Sequence, residues 1–181
     1  MKCLDSACEF LYSPFSRIEE NENSALMSWA LLGYLAGAVS LMLFVMMVKP
    51  FSISAFSLLV ILSAALFSNF LFSGMVHLFL NFLGKNGDAL KLFCATGIGD
   101  FIWGVLLPLG FWTRLGVLGP FSSFFIAAVL VVSFRVVAIG RIYRMNVLSA
   151  FMSLMLNYVL FPFVVFMFTL YALVFALMSV F

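Results

Sequence analysis

An all-α integral membrane bundle of five transmembrane helices is the architecture this sequence predicts, and three observations point to it. Hydrophobic residues make up 66% of the 181 and charged residues 9%, with a mean hydropathy of +1.24. Soluble domains carry about a quarter charged residues. A small chain this apolar cannot cover its own side chains, because small domains leave much of their surface exposed. Lipid has to be the solvent. The second observation is that the apolar sequence falls into blocks of the roughly 20 residues needed to cross a hydrocarbon core. The third is the stretch from Asn69 to Trp112, two hydrophobic arms joined by Gly84-Lys85-Asn86-Gly87-Asp88. That turn is too short to hold a soluble domain, so the stretch reads as a membrane hairpin.

Taken in order, residues 1–27 predict a short cytoplasmic tail holding five of the seven acids. Phe10, Leu11, Tyr12, Phe15 and Ile18 suit a small patch lying on the membrane surface. The opening MKCLDSACEF lacks the basic flank and apolar run of a signal peptide, so the first span is expected to act as its own anchor. Ser24 is the expected cap of that span. Residues 28–181 then predict the transmembrane domain, with helices over about 28–48, 53–83, 89–112, 121–144 and 147–179.

The first helix carries Gly33-x-x-x-Gly37 followed by Ser40, a small-residue face that lets backbones approach. Close packing within the bundle is the main expectation, and the same stripe admits a homodimer. Lys49-Pro50 ends this helix. The second helix is longer than one crossing needs, and Ser73, His77, Asn81 and Lys85 recur every fourth residue on one of its faces. Asn86-Gly87 suits a tight turn, and Asp88 is placed to cap the third helix. That helix holds Gly97, Gly99, Asp100, Gly104 and Pro108, which predicts tight packing and a bend. Gly97 and Gly104 join Gly33 and Gly37 as expected helix-packing positions. The fourth helix contains Arg135, and the fifth is interrupted by Asn157 and Pro162.

Lysine and arginine counts orient the five spans. The amino-terminal side collects Lys2, Arg17, Lys85, Lys91, Arg141 and Arg144, while the opposite side collects Lys49 and Arg114. The amino terminus is therefore expected in the cytoplasm and the carboxyl terminus across the membrane.

Several function classes fall away. A net charge of +2 leaves no basic surface for nucleic acid. Cys3, Cys8, Cys94 and the single His77 give neither zinc-ligand spacing nor a disulfide framework, so no metal or cofactor is expected. Gly97-Ile98-Gly99 lies inside an apolar span, and Gly84-Lys85-Asn86-Gly87 lacks the spacing of a phosphate loop. No serine, cysteine or aspartate has a partner at catalytic spacing, so no catalytic residue is assigned.

What stands out is the depth of the polar groups. Asp100 lies roughly 17 Å into its helix, near the middle of a core about 30 Å thick. His77, Arg135 and Asn157 fall in the same cytoplasmic half of the bundle. Charged groups at such depth pair with one another or line a wet cavity. An Asp100–Arg135 pair holding helices in register is one reading, and a substrate or proton path through the four residues is the other. Arg135 alone would instead reach toward the interface.

Three stretches resemble the Yip domain family, the Ypt/Rab-interacting multi-pass membrane proteins and their bacterial relatives. Leu11-Tyr12-Ser13-Pro14-Phe15 with Arg17-Ile18-Glu19-Glu20 is similar to the proline-containing segment before the family's first helix. From Leu80 to Gly110, a glycine-bearing turn, an Ala-Leu-Lys helix start and a late Leu-Pro follow the family's order. IYRMNVLSAFMSLMLNYVLFPFVV is similar to its basic turn and proline-containing last helix. The resemblance implies a five-helix bundle with a cytosolic amino terminus and no known catalytic residues. Small size and a brief tail look like the bacterial members. The expectation is a non-enzymatic protein that organises membrane-protein partners or lipids of the bilayer, in a bacterial cytoplasmic membrane or, alternatively, an ER/Golgi membrane. The competing expectation is a small transporter or permeation component using His77, Asp100, Arg135 and Asn157.

Overall fold

The computed structural model describes residues 23–49 and 55–180. Regular structure among them is helical throughout: α1 Asn23–Val48, α2 Ala55–Phe82, α3 Ala89–Gly99, a 3-10 helix Asp100–Val105, α4 Leu106–Arg114, α5 Pro120–Ile142 and α6 Val147–Val180. Among the described residues, four stretches are long and apolar enough to cross a membrane: Leu26–Val48, Phe56–Phe82, Ala89–Arg114 and Pro120–Ile142. The expected tail patch from Phe10 to Ile18 lies outside the described residues.

The helix limits differ from expectation where local chemistry decides them. α1 already includes Asn23, the first described residue, rather than beginning near residue 28, and nothing in Asn23-Ser24-Ala25-Leu26-Met27 breaks a helix. Ser24 is thus inside α1 instead of capping it, and Leu26 is buried in a cluster with Phe93 and Cys94. The expected single helix over 89–112 is three segments ending at Arg114. Pro108 has no N–H to give to the carbonyl of Gly104, and its ring crowds that residue. Gly97, Gly99 and Gly104 weaken the α preference around it further, and Asp100–Val105 tightens into a 3-10 helix. α5 begins on Pro120, whose missing amide costs nothing at a first helical position. It ends at Ile142 rather than 144, where Arg144 turns to a positive φ of 50°. α6 matches the expected helix over 147–179, running Val147–Val180 with Pro162 inside it.

The composite span α3–3-10–α4 is the central column. α1 lies along all three of its segments, α2 packs on α3 and α1, and α5 packs on the column's other side. α6 rests against α2 and α5. Backbones meet where α1 crosses the column: a side chain at Gly33 would run into the Gly97 carbonyl, and one at Gly97 into Tyr34 and Ala30. A Cβ on Gly37 would sit 3.0 Å from the Asp100 carbonyl oxygen. The Gly33/Gly37 stripe is therefore covered within the chain. Gly104 stands apart from this contact, since a Cβ there would meet only Ser40 Oγ at 4.0 Å. The Tyr34 hydroxyl locks the crossing by donating to the Phe93 carbonyl at 2.8 Å.

Candidate functional site

Arg135 is the centre of the polar cluster. It projects from α5, is buried, and lies in a bundle held by apolar residues such as Phe72, Val136 and Leu154. Its Nη2 donates to Asp100 Oδ1 at 3.1 Å and to Asn69 Oδ1 at 2.9 Å. Its Nη1 donates to the Tyr158 hydroxyl at 3.1 Å. The guanidinium also lies over the Phe72 ring, 5.7 Å from its centroid, and Phe72 stacks on Tyr158. One cation thus ties together α2, the 3-10 helix, α5 and α6.

The reason is electrostatic. In hydrocarbon an ion without a counter-charge is costly, and the penalty is relieved by pairing plus hydrogen bonds to the remaining donors. Asp100 supplies the charge, while Asn69 and Tyr158 supply neutral oxygens. Asp100 itself is carried to this level by the start of the 3-10 helix, where Gly37 of α1 comes up against its backbone and Cβ.

Of the four residues singled out by depth, the structure joins two directly. Asp100 and Arg135 form the ion pair. Asn157 is buried beside Tyr158 in sequence, yet its amide donates to the Ser153 carbonyl of its own helix at 2.8 Å. His77 is bonded elsewhere, with Nδ1 3.0 Å from the Tyr143 hydroxyl. Burial, with the Asp88 carboxylate adding, pushes the Tyr143 phenol up to about 12, so it stays a neutral hydroxyl at ordinary pH. The ring of Tyr143 fills the space that a side chain at Gly87 would need. His77 therefore belongs to the lock between two turns, not to the charged cluster.

Asn69 and Tyr158 were missed by depth alone. Asn69 had a signal: it stands one turn before Ser73 and extends the every-fourth-residue polar face of α2. Tyr158 had none, because a tyrosine in an apolar run reads as one more aromatic. Among the described residues, three buried side-chain polar atoms lack a partner: Ser73 Oγ, Arg135 Nε and Asn157 Oδ1. They come from α2, α5 and α6. Among the described residues, no group of three His, Cys, Asp or Glu side chains is arranged to hold a metal. Compared with protein-family models, curated proteins and solved structures, the chain matches none.

Proposed function

We propose that this chain is a non-enzymatic, Yip-like multi-pass membrane protein that organises protein partners or lipids in its membrane. In this reading α6 is the fifth span, the amino terminus is cytoplasmic, and a bacterial cytoplasmic membrane is the favoured location. The observation that carries the reading is the threefold grip on Arg135 by Asp100, Asn69 and Tyr158. A charge so engaged acts as a clasp between helices and leaves the bundle's outer surfaces and its polar ends to do the work. The five-span order and the three stretches quoted above support the Yip-like assignment.

A second reading, a small transporter, draws on the orphaned atoms Ser73 Oγ, Arg135 Nε and Asn157 Oδ1. Buried donors and acceptors of this kind are satisfied by internal water, and internal water is what a polar path requires. The deciding experiment is crosslinking and capture from native membranes, run in parallel on the wild type and Asp100→Asn. The organiser reading expects reproducible partners retained by a folded Asp100→Asn protein. A folded Asp100→Asn protein that loses a proton- or ion-dependent phenotype, with no partner captured in either case, would replace it with the transporter.

A further inference from the structure

The basic end of the bundle holds a cavity of about 760 Å³ between the α2–α3 turn and the α5–α6 turn. Lys85, Lys91, Arg141 and Arg144 line it, with Asp88 as its acid. That carboxylate is already engaged, since its Oδ1 accepts from the amides of Leu90 and Lys91 as the cap of α3. Among the described lining residues, Lys85, Lys91 and Arg144 thus stand against one engaged carboxylate, and the space between them suits a concentrated negative charge.

Two features hold the walls in place. The Tyr143 ring sits against Gly87 so closely that no side chain fits there, which fixes one turn on the other. Arg144 takes a left-handed backbone at φ 50°, an uncommon conformation for a residue with a side chain. The Met145 amide closes that turn on the Gly140 carbonyl at 2.8 Å. Backbone outliers persist where surrounding structure enforces them, and they gather at binding sites.

A second cavity, about 530 Å³, adjoins the first through Lys85, which lines both. Its walls are mostly apolar: Phe79 of α2 and Leu83 just beyond it, with Leu148, Met152 and Leu156 along α6, beside Ser149 and Ser153. From Leu148 to Leu156 the groove follows the helix for about 12 Å, at 1.5 Å per residue. A basic chamber at the headgroup level opening into an apolar groove along a spanning helix matches one chemistry, an anionic head joined to a hydrocarbon tail.

We infer that the two cavities form one site for an anionic phospholipid, its phosphate among Lys85, Lys91 and Arg144 and an acyl chain in the α2–α6 groove. Basic pockets between spanning helices on the cytoplasmic side recognise such headgroups. The inference deepens the organiser reading and rests on its placement of this end at a membrane surface. It names the lipid class, and it is independent of whether protein partners exist.

The test uses the full chain, purified in detergent and offered vesicle lipid containing phosphatidylglycerol or phosphatidylcholine, with co-purifying lipid read by native mass spectrometry. Phosphatidylglycerol is expected to be retained selectively. Lys85→Gln with Arg144→Asn, asparagine being tolerant of a left-handed backbone, is expected to lower retention about thirtyfold, from the contribution of two basic side chains near an anionic group. Met152→Trp fills the groove while leaving the charges, and is expected to lower retention as well. Equal retention of both lipids, or unchanged retention in both variants, overturns the site. Displacement of the lipid by millimolar inorganic phosphate, with Met152→Trp behaving as wild type, overturns it in favour of a free-anion site. Failure here with partners still captured from native membranes removes the lipid site alone; retained lipid with no partners captured removes the protein-partner half of the organiser reading.

Discussion

In the span Phe56–Phe82, 17% of the most apolar stretch is buried, whereas in Ala89–Arg114 the share is 61%. The more buried span is the one with more glycine and a charge, the reverse of what a water-soluble protein would do. In lipid, leucine and phenylalanine gain little by exchanging hydrocarbon for protein, so they are left facing outward. Phe67 and Phe70 on α2 are both about two-thirds exposed. The column is pulled inward by close backbone contact at Gly97 and by the need to pair Asp100. Small size and polarity, not apolarity, sort the helices between centre and rim.

Substitutions can break this contrast, and the largest effect is expected at its charged centre. Arg135→Leu leaves Asp100 buried without its cation and should destabilise by about 3–5 kcal/mol. Unfolding in mixed micelles reads the loss, and adding Asp100→Leu should restore most of it, because an apolar replacement of the whole pair is close to neutral. Next comes Gly97→Val, which forces α1 off the column and should cost about 1–3 kcal/mol by overpacking. The same measurement on Gly104→Val should give a clearly smaller cost, since Gly104 lies in looser surroundings. Asn69→Leu removes the hydrogen bond from α2 to Arg135, and about 0.6–1.7 kcal/mol is expected from intramembrane bonds of this type. Phe67→Leu on the lipid-facing side of α2 should stay within about 0.5 kcal/mol. An effect there as large as at Gly97 would mean that α2 is covered by something other than lipid.

The parts of this molecule legible in the sequence are those written in composition and spacing. Helices separated by Lys49-Pro50, by Gly84 to Asp88 and by Gly116 to Pro120 are visible because charge or clustered turn-forming residues interrupt the apolar runs there. Asp100 and Arg135 could be brought to one level by counting residues from the turns. What the count does not hold is azimuth. Whether Asn157 looks toward Arg135 or bonds its own helix depends on rotations set by packing against α2 and α5, and no spacing rule within α6 encodes that. His77 is a similar case: its depth is right for the cluster, but its direction is toward Tyr143. The helical character of Asn23 to Met27 is hidden in the sequence because polar residues next to a span look like tail even when they form a helical turn ahead of the apolar block.

The 3-10 helix changes more than local geometry. An α-helix advances about 100° per residue and a 3-10 helix about 120°. Along an unbroken α-helix, Gly110 would point about 220° away from Gly97, close to the opposite side. With the six residues of Asp100–Val105 wound tightly, the added rotation returns Gly110 to within about 20° of Gly97. Both glycines meet α1, Gly97 at Ala30 and Tyr34 and Gly110 at Phe44 and Met47. The tight turn thus works as a phase corrector, letting one neighbouring helix meet small residues spaced out of step with an unbroken α-helix.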